Sequence, residues 1–333
     1  MNRRDVLAAS TVAAIGGLPW LSAAAGAQRV DQTRVGIDQV EELRATLSDL
    51  DAIDQRFGGD RLWRSAQHTL QWVHNLLDRA LFTADIGAEL HSIAGQLTTS
   101  LGWYCYDAAQ QERANVFFSQ ALNTALLSRD APLAVRTLSN MARQAVDLGK
   151  PRDAIRFAQI ATTHTGTWAP ARVHSLLAVR EAQGYARLGD TVGANDAILR
   201  AWRAFEQGPS DRDPQWSAFL NEAEMTCLEG MCRSDLGQHQ QAVDLLGRSA
   251  DMQDTAHDRN RGMCLVRLSG AALSAGDLDQ SIAAAEASVR MIDSGMTSQR
   301  NKHVLLNVAV DLRPFGSDSR ARNMIEQITA HAA

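Results

Sequence analysis

The chain has 333 residues, 45% hydrophobic and 21% charged, an ordinary composition for a folded domain. A formal net charge of −5 and a pI near 6.0 argue against the basic face that a nucleic-acid surface needs. Leu and Ala dominate while β-branched and aromatic runs are scarce, which favours helix over strand.

The first residues, MNRRDVLAASTVAAIGGLPWLSAAAGAQR, carry Arg3-Arg4, an uncharged run from Val6 to Gln28, and Ala25-Gly26-Ala27 before Gln28. These are the three parts of an export signal, here of the twin-arginine kind. The run is long enough to cross a bilayer, but its Ala and Gly content and Pro19 predict no stable membrane span. Residues 1–30 are therefore expected to be either an apolar linker or a signal-like segment. Residues 31–85, including RLWRSAQHTLQWVHNLLDRALF, are expected to supply N-terminal helices that cap a downstream array. FGGD at residues 57–60 has no phosphate-loop frame and reads as a turn.

From residue 86 to 312 the chain repeats a helix, a short turn and a second helix. A small residue marks each turn: Ala109, Gly149, Gly189, Gly237 and Gly276, spaced by 40, 40, 48 and 39 residues. Five positions later stand Ala114, Ala154, Ala194, Ala242 and Ser281. Seven positions earlier stand Gly102, Ala142, Ala182, Gly230 and Ser269. A turn residue in the left-handed conformation ends the first helix, and the flanking small residues let the two helices approach. Pro132, Pro151, Pro170 and Pro214 are expected at helix starts, with Asp130 and Asp213 as N-caps. FEQGPSDRDPQW reads as a long loop between hairpins, and residues 313–333 as a loop and a polar closing helix. The predicted fold is all-α, a solenoid of antiparallel helical hairpins.

The pattern L-G-x-x-x-x-A, with a small residue twelve before that Ala, resembles tetratricopeptide repeats. So do the apolar or small residues four and seven positions after it, at Phe118/Ala121, Ala158/Ala161, Ile198/Ala201, Leu246/Ser249 and Ala285/Ser288. The match is degenerate: the period is near forty, and most units lack the aromatic of the first helix. Such repeats imply a right-handed α-solenoid with a concave groove. RVGIDQVEELRATLSDLDAIDQRFGG, LGWYCYDAAQQERANVFFSQAL and NMARQAVDLGKPRDAI further resemble the repeat region of actinobacterial XRE-type regulators. Those regulators carry an N-terminal helix-turn-helix, and this sequence starts after the place where it would be. In them a segment like RRDVLAAS is an interdomain joint. That resemblance implies a cytoplasmic regulatory module, in transcription or development, that senses a signal or binds a partner. The alternative is a solenoid exported through the twin-arginine route to act at the cell envelope.

Little else points to chemistry. Cys105, Cys227, Cys232 and Cys264 show no metal-binding spacing, and each sits in an apolar helical pattern where Cys acts as a small buried hydrophobe. Four unpaired thiols suit a reducing compartment. His68 and His74 are six apart and diverge on a helix, as do Glu222 and Glu224 at two apart. The expectation is a non-enzymatic module with no cofactor and no metal.

The resemblance to tetratricopeptide repeats places the groove by phase at Trp103, Tyr106 and Asp107, then at Arg136, Asn140, Arg143 and Asp147. Gln183, Arg187, Glu224 and Asp235 complete it. This mixture suits a protein or peptide partner, or a small polar ligand, and leaves a homodimer open. It lacks the cation set with which some tetratricopeptide domains grip a chaperone C-terminus. Trp63, Trp72 and Trp202 read as packing residues, as does Trp103 on its pattern alone. Trp168 and Trp216 either staple loops or flank a ligand.

Overall fold

The structure, a computed structural model, describes residues 34–59, 62–253, 257–296 and 298–332. The expectation for residues 1–30 falls outside them. Fourteen α-helices and two short 3₁₀ turns make up the helical structure among the described residues. After α1 (Ile37–Phe57) and α2 (Trp63–Arg79) come six antiparallel hairpins. They are α3 (Ala84–Asp107) with α4 (Gln111–Ser128), α5 (Ala131–Asp147) with α6 (Pro151–Thr163), and α7 (Ala171–Leu188) with α8 (Thr191–Phe205). Then follow α9 (Glu222–Asp235) with α10 (His239–Met252), α11 (Asp258–Ser274) with α12 (Leu278–Asp293), and α13 (Gln299–Asp311) with α14 (Ser319–Ala332).

The turn column explains why each pair folds back. Gly149, Gly189, Gly237 and Gly276 all have φ between 67° and 85°, and Ala109 takes the same left-handed conformation at 59°. After each, the chain closes a bond back into the helix, as from Lys150 N–H to the Ala145 carbonyl. The small-residue columns meet across the hairpins: Ala114, Ala142, Ala154, Ala182, Ala194, Ala242, Ser269 and Ser281 are all fully buried. A Cβ on Gly102 would sit 2.5 Å from the Phe118 ring. Phe118, Ala158, Ile198, Leu246 and Ala285 fill the space behind, each buried. Full burial of such a Phe, Ile or Leu side chain contributes about 1.5–3 kcal/mol.

Side-chain caps fix the starts. Asp130 accepts from Leu133 N–H, Asp190 from Gly193, Asn221 from Glu224 and Asp277 from Gln280. Pro132 and Pro151 lie in first turns, and Pro170 is the N-cap of α7. Pro214 and Asp213 depart from expectation. Pro214 precedes only a 3₁₀ turn, Gln215–Ser217, and α9 starts at Glu222. Asp213 is no cap: it accepts from Ser210 N–H and pairs with Arg172 at 3.1 Å, pinning the long loop.

First helices of successive hairpins pack side by side, so α3, α5, α7, α9, α11 and α13 form the inner wall. Residues 31–85 do more than cap one end. α2 flanks α3, but α1 packs against both α3 and α11, tying the first hairpin to the fifth. The apolar side of α1, at Val40, Leu43, Leu47 and Leu50, joins one core with Val73 and Leu76 of α2 and Leu97 and Leu101 of α3. At the far end α14 closes on α12 and α13 around Val308, Met324 and Ile328.

Two substitutions test the turn logic in opposite directions. Gly102→Ala forces the Phe118 ring aside and is expected to cost about 1–3 kcal/mol in urea unfolding. Ala109→Gly relieves a left-handed alanine and is expected to leave stability unchanged or raise it by up to about 1 kcal/mol.

Candidate functional site

Between α1 and the inner wall lies a cavity of about 90 Å³. Its lining follows the repeat phase. Thirteen positions before the turn residue stand Arg136, Leu176, Glu224 and Met263, and all four line it. Nine before stand Asn140, Arg180 and Leu228; six before stand Trp103, Arg143 and Met231. Helical spacing of three to four residues thus aims one stripe of each inner helix at the same space. α1 supplies Asp51, Asp54 and Gln55, and the 3₁₀ segment and its flank supply Trp216 and Phe219.

Ion pairs hold α1 across this space. Arg136 Nη2 of α5 donates to both oxygens of Asp51 at 3.1 and 3.2 Å, and to Ser100 Oγ at 3.1 Å. Arg259 Nη1 of α11 donates to Asp54 Oδ2 at 2.8 Å, with side chains only 5% and 7% exposed. Trp103 Nε1 donates to the same oxygen at 3.0 Å, and the Arg259 guanidinium lies 5.2 Å from the Trp103 ring centre. Gln215 adds a hydrogen bond to Ser48. Burial outweighs the attraction of Arg259, and Asp107 and Asp51 add repulsion, so the Asp54 carboxyl is raised to about 7.

A second cluster lies beside the first. Arg300 of α13 donates to Asp107 Oδ1 at 3.2 Å and to the Tyr106 hydroxyl at 3.3 Å, while Ser298 Oγ donates to Asp107 Oδ1 at 2.9 Å. Tyr106 donates to Asp147, which also accepts from Arg143 Nη2 at 2.7 Å. Burial alone would raise the Asp147 carboxyl, but Arg143, Arg267 and Arg300 around it hold it down at about 2.

Several buried atoms in the lining are left without partners among the described residues: Asp54 Oδ1, Ser139 Oγ, Arg143 Nη1, Arg180 Nε, Arg259 Nε and Asn260 Nδ2. Unpaired polar atoms out of water are costly unless something completes them. Burial, and then the charge of Arg143, depress the Arg180 guanidinium to about 10. Burial raises the Glu224 carboxyl against the pull of four arginines. Cys227 also lines the space, but a hydrogen bond with Cys264 and burial hold its thiol well above the ordinary range, which suppresses nucleophilic character. No group of His, Cys, Asp or Glu able to hold a metal occurs among the described residues. No helix among them is long and apolar enough to cross a membrane.

No family model and no curated protein matches the chain. Among solved structures, a Rap protein complexed with Competence and Sporulation Factor is 13% identical, with a TM-score of 0.55. That match covers 88% of this chain and 87% of that one. BtubC from P. vanneervenii is 14% identical over 71% of this chain and 91% of its own, with a TM-score of 0.47. A tetratricopeptide repeat protein from Parabacteroides merdae ATCC 43184 is 10% identical over 80% of this chain and 99% of its own, at 0.38. The fold is a tetratricopeptide-type α-solenoid. At these identities the likeness reaches no further than the fold.

The residues singled out by phase fall into three groups. Trp103, Arg136, Asn140, Arg143 and Glu224 line the cavity. Tyr106, Asp107, Asp147 and Gln183 stand behind the lining as its supports; Gln183 Oε1 accepts from Arg180 Nη1 at 3.0 Å. Arg187 and Asp235 pair with each other at 3.1 Å, outside the cavity. Trp168 staples its loop, donating to the His164 carbonyl at 2.9 Å, whereas Trp216 flanks the cavity. Among the lining residues not anticipated are Asp51, Asp54, Arg180, Arg259 and Arg300. Arg180 was readable from the nine-before column; α1 and α13 lie outside the five recognised units, so no phase pointed to them.

The raised Asp54 carboxyl gives a pH test. A carboxyl whose folded pKa lies above its unfolded value contributes stability that is complete below about pH 4 and is lost as pH rises through about 7. Between those limits the stability of the native chain should fall relative to Asp54→Asn, which lacks this proton. Paired denaturation curves at pH 4.5 and 7.5 check it. Arg259→Met leaves Asp54 buried without its cation and is expected to cost about 3–5 kcal/mol near pH 8.

Proposed function

We propose that the chain is a non-enzymatic binding module of a regulatory circuit, transcriptional or developmental, which senses a partner or signal held on the concave side of its array. The observation that carries this reading is the cavity between α1 and the inner wall, with buried side chains whose polar atoms lack partners. Six of the buried polar atoms without partners among the described residues belong to side chains of this lining, and an occupant that offers acceptors and donors would complete them. The Rap protein of similar fold was solved with a bound factor, which supports a binding role for this array. The high thiol pKa of Cys227 and the absence of any nucleophile-and-base pair in the lining argue against catalysis. Formal charge of −5 argues against direct contact with nucleic acid.

Chemical cross-linking in cells followed by quantitative mass spectrometry tests the binding role. A specific partner, or a co-purifying small molecule, should be retained by the native chain and by Arg200→Glu on the outer α8. Arg143→Glu in the cavity should reduce it at least tenfold. Equal retention by all three, or none by any, counts against the reading.

We further propose a cytoplasmic location, supported by four cysteines that are all buried and unpaired. The alternative is twin-arginine export. Fractionation of cells making a C-terminally tagged chain, with N-terminal sequencing, separates them. A cytoplasmic protein beginning near Met1 is expected; an exported one beginning at Gln28 would overturn the assignment.

A further inference from the structure

We infer that the cavity takes a small organic acid, one carboxylate on a compact apolar body, and not an extended peptide. The inference rests on the reading of this cavity as a binding site and names its ligand class.

Size comes first. A volume of about 90 Å³ is well below the roughly 300–1,000 Å³ of pockets for drug-sized ligands. The concave face along which an extended chain would lie is already crossed by α1. Seating a peptide there would break the Asp51–Arg136 and Asp54–Arg259 pairs, which leaves two buried arginines uncompensated.

Charge comes second. Five guanidinium groups reach the lining. Arg136 is matched by Asp51, Arg259 by Asp54, Arg300 by Asp107 and Arg143 by Asp147. Arg180 is different: 3% exposed, it makes no ion pair within 4 Å among the described residues, has Glu224 of the same lining as a counter-charge only at longer range, and donates only to Gln183 Oε1. Its Nε, and Nη1 of neighbouring Arg143, have donors with no acceptor, and Asn260 Nδ2 lacks one as well. A carboxylate supplies two acceptor oxygens, which suits planar guanidinium donors better than any neutral group. Glu224 and Asp54 in the same lining oppose a second negative charge, so a carboxylate fits and a phosphate dianion does not.

The rest of the lining sets the body. Leu176, Leu228, Met231, Met263, Trp216 and Phe219 offer apolar contact, two of them methionines that adjust to an irregular shape. A neutral amide of the same shape would find these contacts but would leave Arg180 without an anion in direct contact.

The test titrates the full-length chain with matched probes: hexanoate and hexanamide, phenylacetate and phenylacetamide, and phenyl phosphate. Calorimetry and the ligand-dependent rise in melting temperature are the readouts. At least one acid should bind ten or more times more tightly than its amide and than phenyl phosphate. Arg180→Gln should erase that preference, while Arg200→Gln should keep it. Glu224→Gln should tighten acid binding several-fold, an outcome that a damaged fold does not produce. Acids and amides binding equally, or preference surviving in Arg180→Gln, overturns the acid assignment and leaves the cavity as a binding site. Preference for phenyl phosphate overturns the single charge. Binding of no probe overturns the small-acid inference, while the sensing role itself stands or falls on the cross-linking result.

Discussion

Two buried ion pairs, Asp51 with Arg136 and Asp54 with Arg259, decide the character of this solenoid. An array of helical hairpins specifies only neighbours, because each unit packs on the next and on nothing further away. The two aspartates break that rule. They lie three apart on α1, hence on one face, and reach arginines 85 and 205 residues away in sequence. Charges removed from water are tolerated when each finds its partner, so α1 has one low-energy seat, across the inner wall. The apolar side of α1 packs with α2 and α3, and its polar side faces the array. What would otherwise be an open groove becomes a confined space.

The same contrast explains what was readable in the sequence. The hairpins were legible because each rests on short-range rules. Left-handed turn residues, small residues at close approach and side-chain caps recur at fixed spacing, and even Ala109 adopts the glycine-like backbone that its column requires. Pro214 misled because proline favours a helix start without specifying which kind of helix comes next, and here a 3₁₀ turn intervenes. Half of the site came from phase, since Arg136, Asn140 and Arg143 share one stripe of α5. The other half belongs to long-range pairing. Nothing local to Asp54 names Arg259 as its partner, and nothing in the Arg300 segment announces that it meets Asp107 at the opposite end of the array.

The interior also concentrates charge of both signs. An acidic protein has gathered guanidinium groups at its centre, stacked in part on aromatic faces: Arg300 lies 4.9 Å from the Tyr106 ring centre and 5.5 Å from that of Trp103. Arginine is suited to this place because its charge persists on burial and its planar donors can serve two acceptors at once. The carboxylates respond individually to their surroundings. Asp147, ringed by three arginines, stays ionised down to about 2, while Asp54, more deeply desolvated and close to two other carboxylates, is raised to about 7. Fixed charge thus sits on α5, and adjustable charge sits on the helix that closes the space.

That arrangement bears on how occupancy of the cavity would reach the rest of the molecule. Its lining draws on α1 and on every inner helix from α3 to α13. An occupant that touches both α1 and α9 would add to the link that Ser48 and Gln215 already make between α1 and the segment before α9. It can stabilise this arrangement only by the amount it binds it more tightly than any other. The inner helices pack closely through their small-residue columns, whereas α1 is seated by an apolar side against α2 and α3 and by ion pairs and polar contacts on the other. Contact with an occupant thus reaches α1, an element outside the hairpins, directly through Asp51, Asp54 and Gln55.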